Sequence, residues 1–81
     1  MDKDMDKKAY NIILQVWKFT KKYIPLATSK EDSVWDGIRE ESNAIYDSTK
    51  DMPEYFREMT SKMILGSIDL LEGIYREENE K

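Results

Sequence analysis

Asp32, Asp36, Glu40, Asn43 and Asp47 recur at spacings of four, four, three and four residues. In a helix of about 3.6 residues per turn such spacing stacks side chains on one face. Stacked carboxylates could hold Mg²⁺, which takes one or two carboxylates and fills its shell with water and phosphate oxygens. They could also imitate the phosphate row of DNA. The face lies roughly opposite Trp35, Ile38 and Ile45, so nothing beside it would desolvate a substrate. Asp32, Asp36, Glu40 and Asp47 therefore stand as a candidate acidic surface, with a plain solvated face as the simpler reading.

The second stretch with chemical promise is Trp17-Lys-Phe-Thr-Lys-Lys-Tyr23, aromatics interleaved with lysines. Base stacking with phosphate contacts, a basic amphipathic helix on a lipid surface and a helix in a partner's groove all use that pattern. Here the aromatics sit at both edges of an apolar arc and form no single platform. They read better as core or interface, with the lysines as the wet side. Met52, Met59 and Met63 suit irregular gaps in a core. Tyr10, Tyr23, Tyr46, Tyr55 and Tyr75 fall at the edges of helix faces, where an apolar ring with a polar tip favours association.

Composition narrows the chemistry. The 81 residues include no His and no Cys, which excludes the usual zinc ligand sets, a Cys nucleophile and a His-assisted triad. No metal or cofactor is expected, and no enzymatic activity. Seven lysines against three aspartates give residues 1–30 a charge of +4; six Lys/Arg against fourteen Asp/Glu give residues 31–81 a charge of −8. An acidic chain is a poor general ligand for nucleic acid, whose phosphates reward clustered cations. The asymmetry suits a basic helix packed beside acidic ones, within a subunit or across a dimer. No apolar run approaches the ~20 residues of a membrane span. Three aspartates interrupt the N-terminal segment where a signal peptide would be basic and then apolar, so a cytoplasmic protein is expected.

The elements that must position these residues are three helices in one domain spanning residues 1–81. The first, about 5–23, opens on Asp4 or Asp6 and closes before Pro25, which pushes its predecessor out of the α region. Ala9, Tyr10, Ile12, Ile13, Val16, Trp17, Phe19, Tyr23 and Ile24 cover about half its circumference, wider than the ~100° stripe of an ordinary surface helix. The second, about 30–49, follows a capping-box pattern at Thr28–Glu31 or Ser29–Asp32. Its Gly37 falls away from the apolar stripe. The third, about 52–77, starts at Asp51-Met-Pro-Glu54, with Asp51 as expected N-cap. Met52, Phe56, Met59, Met63, Gly66, Leu70 and Ile74 line one face; Ile64, Ile68, Leu71 and Tyr75 widen it, while Leu65 falls on the otherwise polar side. Gly66, Ser67 and Gly73 on or beside that face predict a close helix crossing, since a helix-interior glycine usually has a packing reason. Residues 1–4 and the tail from Arg76 are expected to fray.

The fold class is thus all-α: a three-helix bundle with antiparallel neighbours. A chain this small is marginal alone, and oligomerisation is the staple left to it. A homodimer with six helices is expected, with Trp17, Phe19, Ile64, Leu65, Ile68, Leu71 and Tyr75 as candidate interface.

Two resemblances bear on function. Glu40-Glu41 followed by Asp69-Leu-Leu-Glu72 is loosely similar to the paired acids of all-α nucleotide pyrophosphohydrolases. Ala44 stands where a third glutamate should be, and the later pair is reversed. That likeness implies Mg²⁺-dependent nucleotide hydrolysis as a remote alternative. Trp17-Lys-Phe-Thr-Lys-Lys-Tyr23, a short break, Trp35 with Glu41 and Ile45, then Met63-Ile-Leu and Ile68-Asp-Leu-Leu-Glu72 resemble small helical proteins of phages and integrated mobile elements of Gram-positive bacteria. This implies a non-enzymatic accessory protein that binds another, unidentified protein. A small nucleic-acid-binding regulator using the lysines of the first helix is the other alternative.

Overall fold

The computed structural model describes residues 3–80, which form three α-helices and one 3-10 turn: α1 (Lys3–Tyr23), the turn Ile24–Leu26, α2 (Asp32–Asp47) and α3 (Glu54–Asn79). Asp4 and Asp6 in the first turn of α1 and Lys21 and Lys22 in its last match the sign of the helix dipole at each end. Pro25 does not end the helix abruptly. It lies within the tightened 3-10 turn, where Ala27 N–H bonds back to Ile24 O.

The two expected side-chain caps do not form. α2 begins at Asp32 after an extended Glu31 that makes no side-chain cap; Ser29 Oγ instead accepts the Glu31 N–H. The indole of Trp35 donates to Ser29 O at 3.0 Å, so the loop is held to α2 through its backbone. Pro53, not Asp51, occupies the N-cap of α3. The preceding turn is fixed by Thr49, which is buried, donates its hydroxyl to Tyr46 O and accepts Met52 N–H on its carbonyl. At the other end, Asn79 Nδ2 bonds Thr28 O at 3.2 Å, which explains why α3 continues two residues past its expected end. Of the ends expected to fray, Lys3 and Asp4 are helical, and residues 1, 2 and 81 lie outside the described residues.

α2 runs back along α1, and α3 runs back along α2, so α1 and α3 are parallel. Their interior has two linked parts. Phe19, Tyr23, Ala27, Ile38 and Leu71 fill one. Ile12, Val16, Phe56 and Ile64 fill the other, and Ile45 and Ile68 pack against both. Between them α1 meets α3 through a polar contact: Thr20 Oγ1 lies 2.7 Å from Val16 O and 2.7 Å from Ser67 Oγ. With one proton, Thr20 donates to the carbonyl and accepts from Ser67.

The bundle is long and thin, 49 × 18 × 17 Å. Its radius of gyration is 14.1 Å, against about 12 Å for a typical domain of this length. A folded monomer of this mass exposes about 5,100 Å² by the usual scaling; this chain exposes 5926 Å².

Candidate functional site

The wide apolar arc of α1 divides. Ile12, Val16, Phe19 and Tyr23 are buried, whereas Tyr10 (62% exposed), Ile13, Trp17 (53%) and Ile24 face outward. Turning about 100° per residue, Lys22, Gln15 and Phe19 point toward α2, where Lys22 bonds Glu41 and the others border a groove with Ala44 and Ile45. Thr20, about 100° on from Phe19, points at α3. Ile13, Trp17 and Tyr10 come next, beyond the α1–α3 seam on the side away from α2, and Ile24 follows in the turn at the end of α1.

The same reasoning applies to α3. Ser61, Ile64, Leu65 and Ile68 border α2, and Ser67 marks the seam with α1. Met63, Leu70, Gly66 and Gly73 follow on the side away from α2. Leu70 is exposed, and a Cβ built on Gly66 or Gly73 would meet nothing within 4 Å. The close crossing expected of these glycines is therefore not made within the chain. Of the three small residues only Ser67 meets another helix. Around Gly73 the surface of α3 opens into a groove of about 570 Å³ whose rim carries Asp69, Glu77 and Glu80 with Arg76. α1 and α3 together thus present one apolar face along the bundle.

A second, smaller apolar surface lies between α2 and α3. Leu65, 58% exposed, and Tyr46 flank a groove with Ser42, Asn43, Ser61, Ile64 and Ile68. Trp35 and Tyr75 stack edge to face, centroids 5.6 Å apart, and close the far end of the same side.

The candidate interface residues part accordingly. Phe19, Ile64 and Leu71 are buried within the chain's own core, because the arc that holds them faces the neighbouring helices. Ile68 and Tyr75 are half-buried; Trp17 and Leu65 are exposed. The exposed Tyr10, Ile13, Ile24 and Leu70 were missing from that set. Their signal was present in the excess width of the arcs.

The charged candidates line one exposed face of α2. Asp32, Asp36, Glu40 and Asp47 are all exposed, and Asp36 pairs with Arg39 at 3.0 Å. Among the described residues no three Asp or Glu gather into a group able to hold a metal ion. Glu41, the second of the paired glutamates, instead accepts from Lys22 Nζ at 2.5 Å. That bond holds the Glu41 carboxyl below its ordinary range and the Lys22 ammonium above its own. Burial raises the neighbouring Tyr23 phenol, and the Glu41 carboxylate adds to the effect. Lys7, Lys8, Lys18 and Lys21 are exposed. No described helix is long and apolar enough to cross a membrane.

Comparison with protein-family models, curated proteins and solved structures finds no match for this chain.

Proposed function

We propose that this chain is a non-enzymatic protein-interaction protein, an accessory factor that works in the cytoplasm by docking its helical surfaces onto other protein chains. The observation that carries the reading is the apolar face of Tyr10, Ile13 and Trp17 on α1 and Ile24 in the turn that follows it, continued by Leu70 on α3. Single exposed apolar residues are ordinary, but a contiguous patch marks an interaction surface. Trp17 and Tyr10 are of residue types enriched among those that carry most binding energy at interfaces. Among the described residues no three acids gather into a metal-holding group, and Glu41 and Asp36 are engaged by Lys22 and Arg39, which favours this reading over nucleotide hydrolysis. The likeness to small proteins of phages and mobile elements fits an accessory role, with self-association and a host protein as the two kinds of contact.

The test is site-specific photocrosslinking in cells that make the chain. A benzophenone side chain is placed at position 17 or 65, or at exposed, polar Ser33 as control. Discrete protein adducts are expected from position 17 or 65 and none from position 33. Failure of both positions to give an adduct would overturn the reading.

A further inference from the structure

We infer that the α1–α3 face is the seat of a second copy of this chain, packed so that α1 of each copy lies across α3 of the other. The inference rests on the interaction function proposed above and names the occupant of its larger surface.

Three observations support this occupant. The first is area. The chain exposes about 800 Å² more than a monomer of its mass. That is about the share each partner contributes to a stable interface. The exposed apolar residues run from Tyr10 to Ile24, about 21 Å along the bundle, and form the apolar centre of such a footprint, with charged residues such as Lys21 and Asp69 at its rim.

The second is charge. α1 carries six lysines against two aspartates. α3 carries six acids against three basic residues. Face-to-face packing of two identical α1–α3 layers allows two arrangements. In one, α1 meets α1, two helices of net positive charge. In the other, a two-fold axis parallel to the helices lays α1 over α3 of the second copy, and opposite charges meet. Complementary potentials favour the second and disfavour the first.

The third is register. A two-fold axis along the bundle leaves every residue at its own height. Thr20 touches Ser67 and Thr28 touches Asn79, so residues of α1 stand level with residues of α3 numbered about 47–51 higher. Lys21 then falls opposite Asp69 of the second copy, at the outer edge of the face. Ile24 falls at the groove around Gly73, whose rim is acidic. The space left open above Gly66 and Gly73 is where the backbone of the incoming helix comes close. The glycines that meet nothing inside the chain are thereby given a neighbour.

The experiment is sedimentation equilibrium of the full chain over micromolar and higher concentrations, with far-UV circular dichroism on each variant to confirm the helical fold. The unaltered chain is expected at twice its 9.6 kDa mass, and Trp17→Glu at the monomer mass with its helicity intact. Lys21→Asp and Asp69→Lys, both at exposed positions, are each expected to raise the dissociation constant about tenfold by placing like charges across the interface. Combined in one chain they restore it to within about threefold, because the pair is re-formed in reverse. A monomer at all concentrations overturns the proposal. So does a dimer indifferent to Trp17→Glu, or one that the double variant fails to restore. Adducts from position 17 that contain only another protein, with a monomeric purified chain, would refute the second copy and leave the interaction function standing. Loss of adducts altogether would remove both.

Discussion

Gly37 offers the sharpest test of the packing between α1 and α2. A Cβ added there would stand 2.7 Å from the Tyr23 hydroxyl oxygen, and 3.6 Å from the ring carbon that bears it. Tyr23 has little room to retreat. It is 5% exposed, its ring meets Phe19 edge to face at 5.5 Å, and Lys22 and Glu41 crowd its polar end. Two effects compete in Gly37→Ala. Replacing a helix-interior glycine gains about 1 kcal/mol of propensity. Forcing a methyl group into a filled space costs about 1–3 kcal/mol. The variant should therefore lie between neutral and about 2 kcal/mol less stable. Tyr23→Phe removes the oxygen and leaves the added Cβ at an ordinary contact distance from the ring. In that background Gly37→Ala should stabilise the chain by about 1 kcal/mol. The coupling between the two positions is then the packing penalty itself, about 1–3 kcal/mol. Urea unfolding of the four proteins, followed by circular dichroism at one fixed protein concentration, measures it. Equal stabilisation by Gly37→Ala in both backgrounds would show that Tyr23 does not abut α2 there.

Thr20→Val should destabilise by about 1–2 kcal/mol, since it leaves Ser67 without its partner across the α1–α3 seam; Ser67→Ala added to it should cost less than the two single changes summed, as urea titrations of the cycle would show. The Lys22–Glu41 pair makes a pH prediction. Glu41 is held below its unfolded value, so the stability it contributes is present above the unfolded carboxylate range and is lost as pH falls through the folded value. Lys22 is held above its own, so its contribution is present below the unfolded lysine range and fades as pH rises through the folded value. Both side chains are substantially exposed, so the effect is small and screened by salt. Glu41→Gln should flatten the acid limb of a stability profile at low ionic strength and change little at high.

Much of the fold was legible because helices write their period into the chain. Apolar residues at spacings of three and four, with breaks at Pro25 and Pro53, locate three helices to within about two or three residues, the usual uncertainty at helix ends. The buried Ile12, Val16, Phe56 and Leu71 fall on the arcs the period marks. The caps were not legible. Thr28 and Asp51 have the right type and spacing, but a cap also requires the backbone before the helix to turn the oxygen toward the free amides. Here Glu31 and Pro53 hold those positions.

What the sequence by itself determined is the number of helices, their charge and the width of each apolar arc. Which part of each arc is covered depends on where the neighbouring helices lie, and that only tertiary structure decided. A period fixes angles about one helix axis and carries nothing about the direction of the next. α2 came to lie over Phe19 and Tyr23, so Gly37, which the stripe had excluded, became a contact point. Leu71 went inside while Trp17 was left in water. Gly66 and Gly73, small residues on an apolar face, were left without a neighbour because α1 crosses beside them at Ser67. The uncovered side of α1 and α3 is the outcome of that placement: two helices flank the core, the third covers one side of the pair, and three helices alone do not cover the other.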